Sequence, residues 1–420
     1  MKLLIDFLNK RGFINAFTEG ADQELDVGKA YMGIDPTADS LHLGHLVGIL
    51  ALKWLQKFNI EVVVVVGGAT GMIGDPSGKN TERSLLDYET LKHNVGGISK
   101  CLQKFLGVNV QVLNNYDWLS TFSFLNFLRD IGKHFRIASM MSKESVKQRC
   151  SSEAGISFTE FSYQILQAYD FLHLFDKENV KIQIGGSDQW GNITAGTDLI
   201  RRLRGKHVGG ITFSLLTKKD GTKFGKSSDG TIWLDAEKTS PYDFYQYLYR
   251  SADTDIPIML RLLTLLPEDV ILAKELEASQ KTSDPNLLQK FLAEEVTKIV
   301  HGEEGLKSAL ETTAAMAPGT STELSIENLE LLAASGHVTD VLNEQLDKIT
   351  IIDLMILCGS VSGKGVARRL IESDGIYLNN EKIVDFRRLI TPDDLLEGRF
   401  LMLGLGRKKK FLLRVQRSHE

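Results

Sequence analysis

Two histidines and two lysines stand beside glycines at spacings that suit phosphate chemistry. His42 and His45 are three residues apart, so they share one face of the first turn of a helix. The start of a helix supplies free N–H groups and the positive end of the helix dipole, which favour a phosphate. Lys223 and Lys226 flank a glycine in a polar segment, where ammonium groups act as compact point charges. Together the four side chains predict a site for nucleotide phosphates.

Three further stretches place polar side chains at strand ends or on one face of a helix. The glycine-rich stretch 67–79 follows five consecutive valines, at the strand end where open α/β sheets bind ligands. Tyr163, Gln167 and Asp170 lie at i, i+4 and i+7, which is one helical face. The stretch 183–192 reads as a strand that ends in glycines and continues into acidic and amide residues.

Each stretch taken alone also fits an ordinary structure. The histidines suit a helix with two surface imidazoles, the lysines a solvated turn, and the helical face a half-exposed surface. No third ligand stands near the two histidines, and the lysine loop lacks Walker-loop spacing. The sequence therefore predicts no metal site and no P-loop.

Strands and helices must hold these residues together. The run Val62–Val66 is apolar on both faces, which predicts a strand of a parallel sheet covered by helices. An amphipathic helix is predicted over Leu43–Phe58, with Asp39 or Ser40 as its cap. Shorter apolar runs predict further strands: Lys29–Ile34, Val110–Leu113 and Lys181–Ile184. This alternation of strands and helices predicts an α/β fold.

The pattern becomes helical after residue 240. Ser240 is a helix cap and Pro241 suits the first helical position. A Pro/Gly/Ser/Thr segment near 317–322 marks a linker. We predict four regions: a catalytic domain at 1–228, an all-helical domain at 229–320, a linker at 321–349 and a small α+β domain at 350–420.

Composition excludes several classes of protein. With 43% hydrophobic and 25% charged residues among 420, the chain is neither disordered nor collagen-like. Its net charge of −5 is uneven, because residues 351–420 carry 13 Lys and Arg against 9 Asp and Glu. Such a basic unit on an acidic body predicts a polyanion-binding appendage. Three scattered cysteines, the absence of a long apolar segment and an N-terminus unlike a signal peptide predict a cytoplasmic protein without a membrane span.

Five stretches, in order, resemble a known family. The segment HLGH at 42–45 resembles the HIGH signature of class I aminoacyl-tRNA synthetases, and KFGKS at 223–227 resembles their KMSKS signature. The stretches 33–45, 67–79, 161–171 and 184–193 resemble the bacterial-type tyrosyl-tRNA synthetase family. The last 70 residues resemble its S4-like RNA-binding module.

That resemblance implies a fold, a reaction and partners. The catalytic domain is expected to be Rossmann-like, and the helical domain to bind the anticodon. The expected reaction joins L-tyrosine to ATP as tyrosyl-adenylate, releases pyrophosphate, and transfers tyrosine to the 3′ end of tRNA(Tyr). ATP is expected as a substrate, accompanied by Mg²⁺. The expected assembly is a homodimer, for which four apolar residues are candidate interface or core residues: Phe124, Leu125, Phe127 and Phe158.

The resemblance also implies roles for individual residues. The tyrosine substrate is expected to contact Tyr31, Asp75, Tyr163, Gln167, Asp170 and Gln189, with Tyr31 and Asp170 at its hydroxyl. Thr37, His42 and His45 are expected to be catalytic, with Thr37 and His42 at the terminal phosphate and His45 at the nucleoside. The expected ATP-binding residues are Asp35, Gly44, Gly186, Asp188 and Ser227, with Asp188 also at the nucleoside. The residues expected to close over pyrophosphate are Lys79, Arg83, Lys223 and Lys226. The expected tRNA contacts are Arg368, Arg369, Arg407, Lys408, Lys409 and Lys410.

Three alternatives remain at this stage. Tryptophanyl-tRNA synthetases share the fold and both signatures. An inactive RNA-binding paralogue would share them too, although both histidines and both lysines are present here. A coenzyme nucleotidyltransferase shares HxGH but lacks the helical and S4-like regions.

Overall fold

The chain divides into two units in the computed structural model. The described residues are 2–24, 28–77, 86–151, 155–217, 224–227, 230–280, 283–316, 325–334, 338–346, 348–373, 375–405 and 409–416. One unit comprises Met1–Trp233 with Ser251–Leu288, and the other Leu234–Arg250 with Gln289–Glu420. The predicted helical block 229–320 thus contributes to both units, and the functional domain boundaries stay a prediction. Within the described ranges, no helix combines the length and the apolar character that crossing a membrane requires.

A six-stranded sheet organises the first unit. Its strands are β1 (Ile14–Phe17), β2 (Lys29–Ile34), β3 (Val62–Val66), β4 (Gln111–Asn114), β5 (Val180–Gly186) and β6 (Gly209–Phe213). They lie in the order β1-β6-β5-β2-β3-β4, and all neighbours run parallel except β1 and β6. Every residue of β3 is buried, as its five consecutive valines predict. The predicted α/β parallel-sheet fold is confirmed.

Helices cover this sheet and continue into the second unit. In chain order the helices are α1 (Lys2–Lys10), α2 (Ala21–Glu24), α3 (Leu43–Lys57), α4 (Tyr88–Leu106), α5 (Tyr116–Leu119), α6 (Phe124–Asp130), α7 (Ile137–Met141), α8 (Glu144–Cys150), α9 (Phe158–Glu178), α10 (Trp190–Arg204), α11 (Pro241–Tyr249), α12 (Ile256–Leu263), α13 (Glu268–Ala278), α14 (Leu287–Met316), α15 (Ile326–Ala334), α16 (Ile351–Leu357) and α17 (Lys364–Glu372). Helix α11 begins as predicted, since the Ser240 hydroxyl accepts from the Asp243 N–H at 3.1 Å. Helix α14 is interrupted at Gly302, whose φ is 76°.

The cap of α3 differs from the prediction. Neither Asp39 nor Ser40 caps this helix, because the chain remains extended as far as His42, with φ −116° and ψ 170°. His42 pairs with Trp233 in an isolated bridge, and the Leu43 N–H donates to the Ile232 carbonyl at 2.9 Å. This pairing delays the first helical turn, so the His42 imidazole becomes the cap.

The second unit contains a five-stranded sheet beside its helices. Its strands are β9 (Val338–Leu342), β10 (Ile376–Leu378), β11 (Glu381–Lys382), β12 (Phe400–Leu405) and β13 (Lys409–Gln416). The intervening numbers belong to a short two-stranded pair in the first unit, β7 (Lys226–Ser227) and β8 (Gly230–Thr231). They lie in the order β11-β10-β12-β13-β9. Helices α16 and α17 pack on this sheet through a buried core that includes Leu354, Ala367 and Leu403. Four of these strands lie in the region 350–420 that is predicted to be a small α+β domain. The segment 321–349, predicted to be a linker, instead contains α15 and β9, and β9 pairs with β13 at the edge of the same sheet.

Candidate active site

A cavity of about 420 Å³ opens at the carboxyl ends of β2, β3 and β5. This is the edge of an open parallel sheet where ligands bind. The predicted residues that line it are Tyr31, Asp35, Thr37, His42, Gly44, His45, Asp75, Tyr163, Gln167, Asp170, Gly186, Asp188 and Gln189. The structure thus gathers residues from stretches far apart in the sequence around one space.

The two signature stretches also meet at this cavity. Gly225 has a φ of 90°, and a Cβ atom there would lie 3.1 Å from the Gly44 nitrogen. The backbone of Lys226 continues into β7 and pairs with Thr231. Lys79, Arg83 and Lys223 lie outside the described residues, as do the side chains of Lys226 and Ser227.

Asp170 forms a buried polar end of the cavity. Its Oδ2 accepts from Nδ2 of Asn115 at 2.9 Å, and its Oδ1 accepts from Nε1 of Trp118 at 2.7 Å. Burial raises the pKa of Asp170 to about 7, and the charge of Asp35 acts in the same direction, although the two donors oppose the rise. This carboxyl therefore changes charge near neutral pH.

The hydroxyl of Tyr31 belongs to the same end of the cavity. It is buried and has no hydrogen-bond partner among the described residues. Burial raises the pKa of Tyr31 well above its usual value, and the charge of Asp170 adds to this, so the hydroxyl stays protonated. A buried hydroxyl without a partner is costly, because it has given up its bonds to water. The site therefore suits a ligand that carries a polar group at this depth.

An amide side chain that sequence reasoning missed joins three predicted residues. Nδ2 of Asn192 donates to Oδ1 of Asp75 at 3.3 Å, to Oε1 of Gln167 at 3.1 Å and to Oε1 of Gln189 at 3.2 Å. Nε2 of Gln189 donates to Oδ2 of Asp75 at 2.6 Å. These bonds bring the side-chain oxygens of Asp75, Gln167 and Gln189 close together. Such a cluster of hydrogen-bond acceptors suits an ammonium ion. Asn192 ends the stretch 183–192 named in the sequence analysis, but its place in the first turn of α10 gave no reason to assign it a role.

A second network connects the two ends of the cavity. The Thr70 hydroxyl donates to Oδ1 of Asp35 at 2.8 Å and accepts from Nδ2 of Asn115 at 2.9 Å. Thr70 lies in the stretch 67–79, which follows β3, and Asn115 directly follows β4, so the strand-end rule applies to both residues.

The two histidines of the first signature are fixed by the backbone of α3. Nδ1 of His42 accepts from the Gly44 N–H at 3.1 Å, and Nδ1 of His45 accepts from the His42 N–H at 3.2 Å. A neutral imidazole that accepts at Nδ1 carries its proton on Nε2. The ring centroids are 3.9 Å apart. Both rings are therefore set to donate from Nε2, which suits phosphate oxygens.

The predicted tRNA contacts of the second unit fall into two groups. Arg368 and Arg369 are exposed on α17, and the Arg368 guanidinium lies 4.5 Å from the Phe386 ring centroid. Lys410 instead donates to the Ala315 carbonyl and to Asn380, and burial lowers its pKa to about 8. Its ammonium supports the fold between α14 and the sheet. Arg407, Lys408 and the side chain of Lys409 lie outside the described residues.

Two segments of the chain match known protein families. Residues 26–317 match tRNA synthetases class I (W and Y), and residues 333–413 match the tyrosine–tRNA ligase SYY-like C-terminal domain. This chain belongs to the class I tRNA synthetases. The predictions of an aminoacyl-tRNA synthetase and of ATP as its substrate are confirmed at this level.

Individual synthetases resemble the chain over most of its length. It is 49% identical to the tyrosine–tRNA ligase of Protochlamydia amoebophila over 99% of each chain. It is 45% identical to the chloroplastic/mitochondrial tyrosine–tRNA ligase of Arabidopsis thaliana over 98% of this chain and 83% of that one. A C-terminally truncated mitochondrial tyrosyl-tRNA synthetase from Aspergillus nidulans superposes with a TM-score of 0.63 at 28% identity, over 73% of this chain and 92% of that one. A tryptophanyl-tRNA synthetase from Encephalitozoon cuniculi shares the fold, with a TM-score of 0.55 and 14% identity.

Proposed function

We propose that this synthetase is a tyrosine–tRNA ligase. The observation that carries the proposal is the buried Tyr31 hydroxyl, which has no partner among the described residues and lies at the same end of the cavity as Asp170. A phenolic hydroxyl would bond to both groups, whereas phenylalanine would leave the Tyr31 hydroxyl without a partner. Relatives at 49% and 45% identity that carry this name support the choice.

The tyrosine substrate would lie with its hydroxyl at Tyr31 and Asp170. Its ammonium group would meet Asp75, Tyr163 and Gln167, and its carboxylate would lie near Gln189. These roles follow from the family resemblance and agree with the cluster of hydrogen-bond acceptors around Asn192.

The first step needs positioning and charge stabilisation rather than proton transfer. A tyrosine carboxylate is ionised at pH 7 and attacks the α-phosphorus of ATP without a general base. The Nε2 donors of His42 and His45, with Thr37, would stabilise the charge that develops on the phosphates. The nucleotide would also contact Asp35, Gly44, Gly186, Asp188 and Ser227.

Cations would complete the phosphate site. Lys79, Arg83, Lys223 and Lys226 would close over the departing pyrophosphate. We propose that Mg²⁺ arrives with the triphosphate. The triphosphate oxygens would supply ligands to this ion, as is usual for Mg²⁺ bound with a nucleotide.

We further propose a cytoplasmic homodimer that binds tRNA(Tyr) through its second unit. Phe124, Leu125 and Phe158 are 66%, 75% and 67% exposed, which is unusual for large apolar side chains. A second copy of the chain would cover them. Phe127 differs, because it packs partly buried against Phe122 at 5.6 Å between ring centroids. Arg368 and Arg369 would contact the phosphate backbone of tRNA.

One assay tests the proposed function. ATP–pyrophosphate exchange, measured with each of the twenty amino acids, should proceed with tyrosine and be negligible with phenylalanine and tryptophan. Exchange with tryptophan instead of tyrosine would identify the chain as a tryptophanyl-tRNA synthetase. No exchange with any amino acid would identify an inactive paralogue.

A further inference from the structure

Trp118 is held from two directions by a single helix. Its indole N–H donates to Asp170 at 2.7 Å, and its face lies against the ring of His173. The two ring centroids are 4.4 Å apart with an angle of 13° between the planes, which is a parallel stack. Asp170 and His173 are three residues apart on α9, so one turn of that helix supplies both contacts. Trp118 itself belongs to the separate short helix α5.

The charge state of His173 suits this stack. Burial lowers the pKa of His173, and nearby Lys177 acts in the same direction, while Asp176 and Glu178 oppose it. The imidazole is therefore neutral at pH 7 and contacts the indole as a flat ring. Without that ring, Trp118 would lose the contact that sets the plane in which its N–H points.

We propose that His173 is a positioning residue for the hydroxyl subsite of the amino acid. It acts through Trp118, because the stack holds the indole N–H on Asp170 and so fixes the carboxyl toward the substrate hydroxyl. His173 does not line the cavity, so it does not touch the substrate. The proposal rests on the proposed function, since it concerns how the site recognises tyrosine.

The test compares tyrosine and phenylalanine in pyrophosphate exchange. His173→Ala should raise the KM for tyrosine about fivefold, the size of effect expected for loss of one aromatic stack, and leave kcat nearly unchanged. The preference for tyrosine over phenylalanine should fall by the same factor. His173→Phe keeps a flat ring and should stay within about twofold of the wild type. His207→Ala is the matched control, because His207 is an exposed histidine outside the cavity.

A double variant shows whether the effect passes through Trp118. In a Trp118→Phe background the indole N–H is already absent, so His173→Ala should change the preference less than twofold. If the effects of His173→Ala and Trp118→Phe on the preference for tyrosine multiply in the double variant, the two residues act independently and the proposal is wrong. An unchanged preference in His173→Ala alone would also overturn it. If His173→Ala does not fold, His173→Leu replaces it, since leucine keeps apolar bulk without a flat ring. Failure of the wild type to activate tyrosine would instead refute the proposed function.

Discussion

The hydroxyl of Tyr163 donates a hydrogen bond to Oδ2 of Asp35 at 2.8 Å and so joins α9 to the end of β2. Burial raises the pKa of Tyr163 well above its usual value, and the charge of Asp35 adds to the rise. The phenol is thus a permanent donor. The bond ties the proposed ammonium subsite to the proposed nucleotide subsite.

Tyr163→Phe should therefore weaken the binding of both tyrosine and ATP. The proposed hydrogen bond between the Tyr163 oxygen and the charged ammonium of the substrate would contribute about 1.5–3 kcal/mol, so the KM for tyrosine should rise at least about tenfold. Loss of the bond that orients Asp35 should raise the KM for ATP by a smaller factor. Tyr169→Phe is the control, because Tyr169 lies on the same helix but packs against Phe122. Steady-state pyrophosphate exchange measures both values. Equal behaviour of the two variants would contradict the assigned role.

His42→Ala should slow adenylate formation far more than it weakens tyrosine binding. Removing one donor that acts on developing charge typically lowers kcat about 100-fold. The KM for tyrosine should change less than about twofold, because His42 lies at the phosphate end. Single-turnover formation of tyrosyl-adenylate gives the rate constant, and Thr37→Ala should show the same pattern. A normal rate constant with weak ATP binding would show that His42 binds the ground state only.

Asp170 should make the free protein less stable as pH rises. In the folded chain the carboxyl keeps its proton up to about pH 7, whereas its ordinary pKa is 3.8. Unfolding therefore releases a proton between these values, and the free energy of unfolding falls as pH rises through that window. The stability of the wild type relative to Asp170→Asn should fall by about 2 kcal/mol between pH 5 and pH 7. Urea unfolding of both proteins at each pH measures this difference, and a constant difference would mean that the carboxyl is ionised throughout.

Phe158→Glu should convert the proposed dimer into monomers. A charge placed on an apolar interface must be desolvated without a partner, which strongly opposes association. Sedimentation at micromolar concentration should give twice the chain mass for the wild type and the chain mass for the variant. Val108→Glu is the control, since Val108 is 82% exposed and lies between α4 and β4, on neither of the helices that carry the patch. A monomeric wild type would refute the dimer.

Arg368→Glu with Arg369→Glu should impair tRNA charging and leave pyrophosphate exchange intact. Each lost phosphate contact should lower the slope of log affinity against log salt by about 1. Aminoacylation measured at several salt concentrations tests this expectation. Deleting residues 350–420 is a poorer test, because Phe400 and Met402 of β12 form a buried cluster with Leu329 and Leu332 of α15. If the double variant charges tRNA normally at all salt concentrations, these arginines are not part of the binding surface.

Sequence patterns predicted the elements that follow strong local rules. The runs Val62–Val66 and Lys29–Ile34 form strands with the predicted bounds, because apolar strands buried on both faces leave an uninterrupted signal. The predicted strand Val110–Leu113 is displaced by one residue, since its partly exposed residues mark the boundary less sharply. The helical face of Tyr163 and Asp170 was also predicted, although both residues are buried rather than half-exposed.

Contacts that depend on the tertiary fold could not be predicted in this way. Trp118 and Asn192 meet their partners across elements that no spacing rule connects. The cap of α3 was missed for the same reason, since His42 becomes the cap only because Trp233 pairs with it.

The hydrogen bonds that hold His42 and His45 to the start of α3 have a consequence for the entropy of binding. A histidine on a mobile surface must lose side-chain freedom when it meets a phosphate, and this loss weakens binding and catalysis. In His42 and His45 that freedom is already restricted when the helix folds, because each imidazole is bonded to the backbone of the same turn. The two side chains therefore lose their conformational entropy when this helical turn folds, and little remains to be lost when ATP binds.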